Sequence, residues 1–387
     1  MHHNQEYTQN ITQVLDDSKR LSREITDKDQ SIYEQLISTK LTPAQEDRII
    51  HPRKIYGQIN AVLAVHWHPE IVPIPMIVKR LKTAFPNAVD WLVIPTQHNI
   101  LMQYEGIYGV EVDCLSKEFQ RKVQLLIHFA EDKLPRTDHF QKMLNHTFKY
   151  RSSQLFEFID TILDNQYQDR IEEACAKTGA TEELVEFVRI HTRKLKKLID
   201  HNSVITPKQS LKNKLIRNYF TYLSSDYAPY IIERAQIFLK VLKKIVKKYF
   251  NYEYFYETHE VIEEVRSFGG RIIVPHPEQF WPILLADYAV DGYEVWNPQS
   301  QEYTEFLIDV VRRKNASLSL DKRILITMGD DCHLGEKIID EKKRDPLKAA
   351  REVGYQPAWD DPAIQKSLIA ASFERKTVIN EYKQRLL

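Results

Sequence analysis

Histidines and acidic residues recur just past short apolar runs along this 387-residue chain, in the order His66 and His68, His98, Glu111, His128, His276, then Asp331 and His333. Imidazole and carboxylate groups are ordinary ligands of divalent metals, so the series points to metal-assisted chemistry. The runs are Ala61 to Val65 before His66, Trp91 to Ile94 before His98, Gln124 to Ile127 before His128, Arg271 to Val274 before His276, and Ile324 to Ile326 before Asp331. They read as strands buried on both faces, as in parallel sheets. Ligands at their carboxyl ends would then converge on one rim. Residues i and i+2 of a strand share a face, so His66 and His68 can present two imidazoles to one ion while Trp67 turns away. Asp331 and His333 repeat that spacing. Glu111 differs from the histidines in being able to bridge two cations through its two oxygens.

The elements that must position these groups fit a globular chain, with 43% hydrophobic and 28% charged residues and a formal net charge of zero. That length suits one large barrel domain with an insertion. No apolar run reaches the roughly 18 residues of a membrane helix. The first thirty residues lack a signal-peptide hydrophobic segment, so a cytoplasmic location with no membrane partner is expected. Three widely spaced cysteines, Cys114, Cys175 and Cys332, indicate neither a disulfide framework nor a Cys-rich zinc site. Any metal must rest on His and carboxylates. The His2-His3 pair is given no role.

Glycine divides the chain. Of ten glycines, seven (Gly106, Gly109, Gly269, Gly270, Gly292, Gly329 and Gly335) lie near the expected strands, and only Gly179 falls between Gly109 and Gly269. That glycine-poor stretch carries apolar residues at helical spacing, such as Leu155, Phe158, Ile159 and Ile162. The expected organisation is a polar helical extension over 1–57, barrel segments over 58–135 and 256–340, a basic helical insert over 136–255, and a helical tail over 341–387 without motif chemistry. Between residues 191 and 249 there are fourteen Lys and Arg against three acidic residues. Two readings of this basic block stay open. It could bind nucleic acid, with Tyr219, Phe220, Tyr222, Tyr227 and Tyr230 stacking bases; or it is a solvated helix face with its aromatics in a core.

In order and content these motifs resemble the polymerase and histidinol phosphatase (PHP) domain superfamily of metal-dependent phosphoesterases. Its opening His-x-His resembles His66-Trp67-His68, its Thr-Asp-His resembles Thr96-Gln97-His98, and its Gly-hydrophobic-Glu strand resembles Gly109-Val110-Glu111-Val112, followed by a strand-borne His at His128. Pro275-His276-Pro277, Gly292-Tyr293-Glu294-Val295 and Gly329-Asp330-Asp331-Cys332-His333 resemble the later motifs. The resemblance covers residues 58–135 and 256–340. It implies an α/β fold, a distorted seven-stranded (β/α) barrel of PHP type with a large helical insertion, and seven strand candidates fall near residues 61, 91, 109, 123, 271, 292 and 323.

The resemblance also implies two or three divalent ions. His66, His68, Glu111 and Asp331 would hold one, Glu111, His128 and His276 a second, and His98 with His333 would serve a third. Glu294 resembles a position outside the metal shell, structural or near the substrate. The family's further ligand after the first pair is missing, because Pro73 and Ile74 stand there, although Glu70 could serve instead; Gln97 replaces an Asp. Ions a few ångströms apart lower the pKa of a bridging water and clamp phosphate oxygens, which predicts hydrolysis of a phosphate ester by a metal-activated hydroxide. Asp330 or His98 would protonate the leaving alcohol. Mixed His and carboxylate ligands suit Mn, Fe or Zn better than Mg. The partner is a phosphorylated substrate, a phosphomonoester, nucleotide or oligonucleotide, with nucleic acid held by the insert if that block faces the ions. A noncatalytic metal-stabilised module that binds nucleic acid or a protein is the alternative. An amidohydrolase-type site is disfavoured by the late Asp331-Cys332-His333.

Overall fold

A computed structural model describes residues 23–319, 322–341 and 344–387. Part of the expected amino-terminal extension, residues 1–22, lies outside the described residues. The chain is a mixed α/β protein that divides into two units, one taking in the described residues up to Thr39 with Lys149–Asn251, the other Lys40–Phe148 with Tyr252–Leu387.

The first unit is helical, with helices Asp27–Ile37, Tyr150–Leu163, Gln168–Thr178, Glu182–His201, Lys214–Tyr222 and Pro229–Tyr249. Local signals set their ends. Thr26 and Asp29 form a reciprocal capping box, Thr181 caps the fourth helix, and Gly179 closes the third at φ 63°. One apolar stripe from each helix meets in a shared core that includes Phe158, Phe187, Phe220, Phe238 and Leu242. Into that core run Lys194 Nζ, 3.0 Å from Asp29 Oδ2, and the Tyr219 hydroxyl, which donates to Asp29 Oδ1 at 2.8 Å. Tyr219 and Phe220 are fully buried. The structure therefore corrects the reading of those two rings as base-stacking groups, because the stripe that carries them is the packed face. Helix Asp27–Ile37, expected in a separate extension, belongs to this core. Helix Asp138–Phe148, expected in the insert, packs in the other unit, where Phe140 lies 5.5 Å from Phe268 between ring centroids.

The second unit holds the strands: β1 (Ala61–Ala64), β2 (Trp67–His68), β3 (Asp90–Val93), β4 (Met102–Tyr104), β5 (Ile107–Ser116), β6 (Arg121–Ala130), β7 (Arg271–Val274), β8 (Gly292–Trp296), β9 (Leu325–Met328) and β10 (Cys332–His333). A strand lies at or beside every one of the seven expected places. Their pairing departs from a closed parallel barrel. β1 pairs with β3, β2 with β10, and β4 to β9 form a six-stranded sheet in sequence order. Within that sheet β4, β5, β6 and β7 are antiparallel neighbours, and only β7, β8 and β9 run parallel. The reason is local: four residues, Lys117 to Gln120, join β5 to β6, whereas a parallel crossover needs about a dozen. No continuous ladder closes the sheets into a barrel among the described residues. The seams are short pairings at Trp67 with Cys332, His68 with His333, and His98 with Glu111.

The expected tail carries helices Pro362–Ala370 and Arg375–Leu386 and packs on the strands. Helix Arg375–Leu386 lies across the amino ends of several strands: Arg375 donates to the Ala61 carbonyl at 3.2 Å, Lys376 meets Asp90 at 3.3 Å, and Arg385 donates to the Arg323 carbonyl at 2.7 Å. Upstream, Glu352 is buried with Arg80 of helix Ile74–Ala84 in a two-pronged pair, both contacts 2.5 Å, while Arg80 also donates to the Arg48 and Ile49 carbonyls. Breaking one side of such a buried pair strands the other charge. Arg80→Met is expected to lower stability by about 3 kcal/mol, seen as a fall in the urea midpoint at unchanged slope.

Candidate metal centre

Backbone hydrogen bonds at the seams fix the ligand-bearing segments. Thr96 clamps Trp67: its hydroxyl accepts from the Trp67 amide at 3.1 Å and donates to the Trp67 carbonyl at 2.9 Å, and its amide donates to the same carbonyl at 3.0 Å. His66 and His68 are thereby held on either side of a fixed residue. Trp67 turns into a separate apolar cluster with Val62, Leu81 and Val93. The Asp331 amide donates to the His66 carbonyl at 3.0 Å, and the Asn99 amide to the Glu111 carbonyl at 2.7 Å. His276 and Asp331 both adopt left-handed backbone, φ 31° and 43°. Each lies in the loop just past a strand, β7 ending at Val274 and β9 at Met328.

Three groups of potential ligand atoms result, each with all atoms within 4.8 Å of one another: His68, His98 and His333; His66, Glu111 and His276; and His66, His68 and Asp331. The contacts are close. Glu111 Oε2 lies 2.9 Å from His98 Nδ1 and 3.3 Å from His68 Nε2, and Glu111 Oε1 is 4.0 Å from His276 Nε2. Asp331 Oδ1 is 3.3 Å from His333 Nε2, 3.5 Å from His68 Nε2 and 3.9 Å from His66 Nε2. His68 stacks between His98 and His333, with ring centroids 4.5 and 4.2 Å away. Despite this crowding, His66 Nε2, both nitrogens of His68 and Glu111 Oε2 are buried without a hydrogen-bond partner. Buried polar atoms left unpaired cost free energy, and a cation held here would satisfy His66 Nε2, His68 Nε2 and Glu111 Oε2; His68 Nδ1 and His128 Nε2 are also unpartnered.

Electrostatics follow from the same crowding. Burial opposes protonation of His66, but the Glu294 carboxylate beside it prevails and raises its pKa to about 10. Burial likewise opposes protonation of His333, and its bonds to Asp331 and Glu70 raise it to about 9. For His68, burial, then the charges of His333 and His98, outweigh Asp331 and Glu111 and push it down to about 3. Glu111 and Asp331 stay well below the usual carboxylate range, because the surrounding histidines outweigh burial.

Of the sequence-predicted residues, seven meet in these groups and two do not. His128 stays outside because β6 runs against its neighbours: it pairs with Gly109 near the start of β5 and with Arg271 at the start of β7, toward the amino ends. There its Nδ1 meets the Tyr382 hydroxyl at 2.8 Å. Its proposed place beside Glu111 and His276 is taken by His66. Asp330, expected as an acid, is buried with both oxygens engaged, Oδ1 by the Cys332 amide at 3.1 Å and Oδ2 by the Gly354 amide at 2.8 Å and Gln356 at 3.2 Å. Burial pushes its carboxyl up to about 7. It staples the tail to the site rather than facing the rim. His98 faces the rim, its side chain 24% exposed.

Sequence reasoning underrated three supports. Glu294 joins two ligands: Oε2 accepts from His66 Nδ1 at 2.6 Å, and Oε1 accepts from the His276 amide at 3.2 Å. A carboxylate on one ring nitrogen fixes the histidine and leaves the other nitrogen outward, the usual support of a metal-bound imidazole. Gly329 makes room for it, since a Cβ there would overlap Glu294 Oε2. Glu70 Oε1 lies 3.6 Å from His333 Nδ1, nearer than Pro73 or Ile74 could supply a ligand. Asp331 Oδ2 is held by Gln299 at 2.9 Å and Arg351 at 2.7 Å. Neither spacing nor residue type marks Arg351, which lies twenty positions beyond Asp331.

Fold and site together define a mixed α/β protein whose His, Asp and Glu groups suggest binding of divalent metal. No known family profile matches the chain, and no curated protein does. Among solved structures, a Bifidobacterium adolescentis protein provisionally described as a metal-dependent phosphoesterase is similar at 16% identity over 72% of this chain and 85% of its own, with a TM-score of 0.39. So remote a likeness carries no functional argument. Among the described residues no helix is long and apolar enough to cross a membrane.

Two outcomes are expected. Glu294→Gln should fold yet weaken metal affinity by about 10- to 100-fold, measured by chelator competition. In metal-free protein, the raised pKa values of His66 and His333 favour the folded state below about pH 6.5 and lose that effect as pH rises through about 9 to 10. Metal uptake at pH 7.5 should therefore release protons, detected as a calorimetric heat that scales with buffer ionisation enthalpy; a buffer-independent heat would contradict this.

Proposed function

We propose that this chain is a metal-dependent phosphoesterase of PHP type, hydrolysing a phosphate ester. The observation that supports it most is the set of buried, unpartnered ligand atoms on His66, His68 and Glu111. His66 has spent Nδ1 on Glu294, so its single outward nitrogen can serve one ion only. His66 groups with His276 and Glu111, and His68 with His98 and His333, while Asp331 groups with both His66 and His68. Glu111 turns one oxygen toward each set, and Asp331 Oδ1 lies within 3.9 Å of both. In this reading Glu111 and Asp331 would hold divalent ions together with these histidines. His128, whose Nε2 is buried without a hydrogen-bond partner, lies outside the three groups. When bound, divalent cations there would supply Lewis acidity, lowering the pKa of water and offsetting charge on phosphoryl oxygens.

The chain's own residues bind and orient. Glu294 holds the His66 ring and the His276 backbone, Thr96 fixes the His66-Trp67-His68 run, and Gln299 with Arg351 aims Asp331. Imidazole-rich sets favour Mn, Fe or Zn over Mg. A phosphomonoester or nucleotide is the substrate class we favour over long nucleic acid, because Tyr219 and Phe220, which would stack bases, lie in the helical core.

The test is metal analysis of purified protein with a screen of phosphomonoesters, nucleotides and short oligonucleotides in Mn. Glu111→Gln and Asp331→Asn should lose metal and at least about 10³-fold in hydrolysis. Hydrolysis persisting after the metal is gone would sink the mechanism. Bound metal with no hydrolysis of any ester would favour the noncatalytic module.

A further inference from the structure

Arg351 reaches the metal centre from the segment after the last strand, and it uses only part of its guanidinium there. Its Nη1 donates to Asp331 Oδ2 at 2.7 Å and to the Asp331 carbonyl at 2.9 Å. Nη2 and Nε make no hydrogen bond to any described residue. The side chain is 10% exposed, and the Asp331 carboxylate it holds lies 3.3 Å from His333 Nε2, whose side chain is 28% exposed.

The residue is also held firmly. Its carbonyl accepts from Lys337 Nζ and from Cys332 Sγ. Three residues on, Gly354 is pinned to Asp330, and Gln356 bonds both Asp330 and the Leu63 carbonyl of β1. A buried acid whose two oxygens are occupied by backbone and amide groups thus fixes the segment that delivers a permanent cation to the ligand cluster. If Arg351 served only to aim Asp331, Gln299 already holds the same oxygen at 2.9 Å. A guanidinium fork with an unused edge, next to a carboxylate that faces three imidazoles, has the geometry that takes a phosphate oxygen by charge-assisted hydrogen bonds.

We propose that Arg351 is the phosphoryl-binding residue of this centre: Nη1 fixes Asp331 while the Nη2 and Nε edge receives a non-bridging oxygen of the substrate phosphate. The ligand class is a phosphate anion or phosphomonoester, and the inference rests on the phosphoesterase reading only for calling that ligand a substrate.

The test separates the two. Inorganic phosphate is titrated calorimetrically into metal-saturated wild type, Arg351→Gln and Arg351→Lys, with metal content and melting temperature measured for each and hydrolysis of p-nitrophenyl phosphate followed in parallel. Arg351→Gln should keep its metal and fold, bind phosphate at least about tenfold more weakly and show a KM raised by a similar factor. Arg351→Lys should fall between, since a point charge replaces the fork. Unchanged phosphate affinity in metal-loaded Arg351→Gln overturns the inference, even where the wild type hydrolyses the ester. Weakening fully accounted for by lost metal also overturns it. Wild type that binds phosphate through Arg351 yet hydrolyses nothing supports the inference and overturns the phosphoesterase reading.

Discussion

Buried imidazoles and carboxylates that face one another without completing hydrogen bonds are the constraint on which the rest of the second unit depends. His66, His68 and Glu111 each hold a buried nitrogen or oxygen without a hydrogen-bond partner, in groups whose potential ligand atoms lie within 4.8 Å of one another. Left alone such atoms are unfavourable, so the surrounding structure must over-determine their positions. The clamping of Trp67 by Thr96, the left-handed turns at His276 and Asp331, and the bond of Glu294 to His66 are that over-determination. Preorganisation of this kind lets a site bind ions and substrate without rearranging.

The seams of the strand arrangement coincide with the ligands. Ladders stop where β1 and β3 meet the larger sheet, and the gaps are spanned by His68 beside His333 and His98 beside Glu111. The backbone is therefore least regular where the chemistry is. Irregular backbone frees side chains from the strict alternation of a strand, so ligands from distant segments can turn toward one point. At the opposite end helix Arg375–Leu386 ties the strand starts together through Arg375, Lys376 and Arg385. Stability is concentrated at one end of the strands and strain at the other.

Much of the site could be read from residue types and their spacing. The i, i+2 pairs at His66 and His68 and at Asp331 and His333, and the single Glu111 among histidines, all reach the cluster, although His66 and Asp331 lie just outside the strands, so residue type and spacing marked them while the loops place them. His128 and Asp330 lie outside these groups for physical reasons. His128 was placed by the rule that ligands follow strands at their carboxyl ends, but four residues between β5 and β6 permit only a hairpin, and a reversed strand carries its carboxyl end to the other rim. That signal was available in the loop length. Asp330 sits next to Asp331, and nothing in adjacent identical residues says which one faces inward; the left-handed backbone at Asp331 decides it.

By itself the sequence determined which histidines and carboxylates gather, His128 and Asp330 excepted, the places of the seven principal strands and the helical nature of the long glycine-poor stretch, because these follow from local periodicity and chain chemistry. Only the tertiary structure decided how those ligands divide into sets, that His66 rather than His128 joins Glu111 and His276, and that Glu294, Gln299 and Arg351 support them. Those outcomes depend on strand direction and on contacts between residues far apart in the chain, 228 positions for His66 and Glu294. Spacing along a chain carries no record of such contacts until the chain has folded.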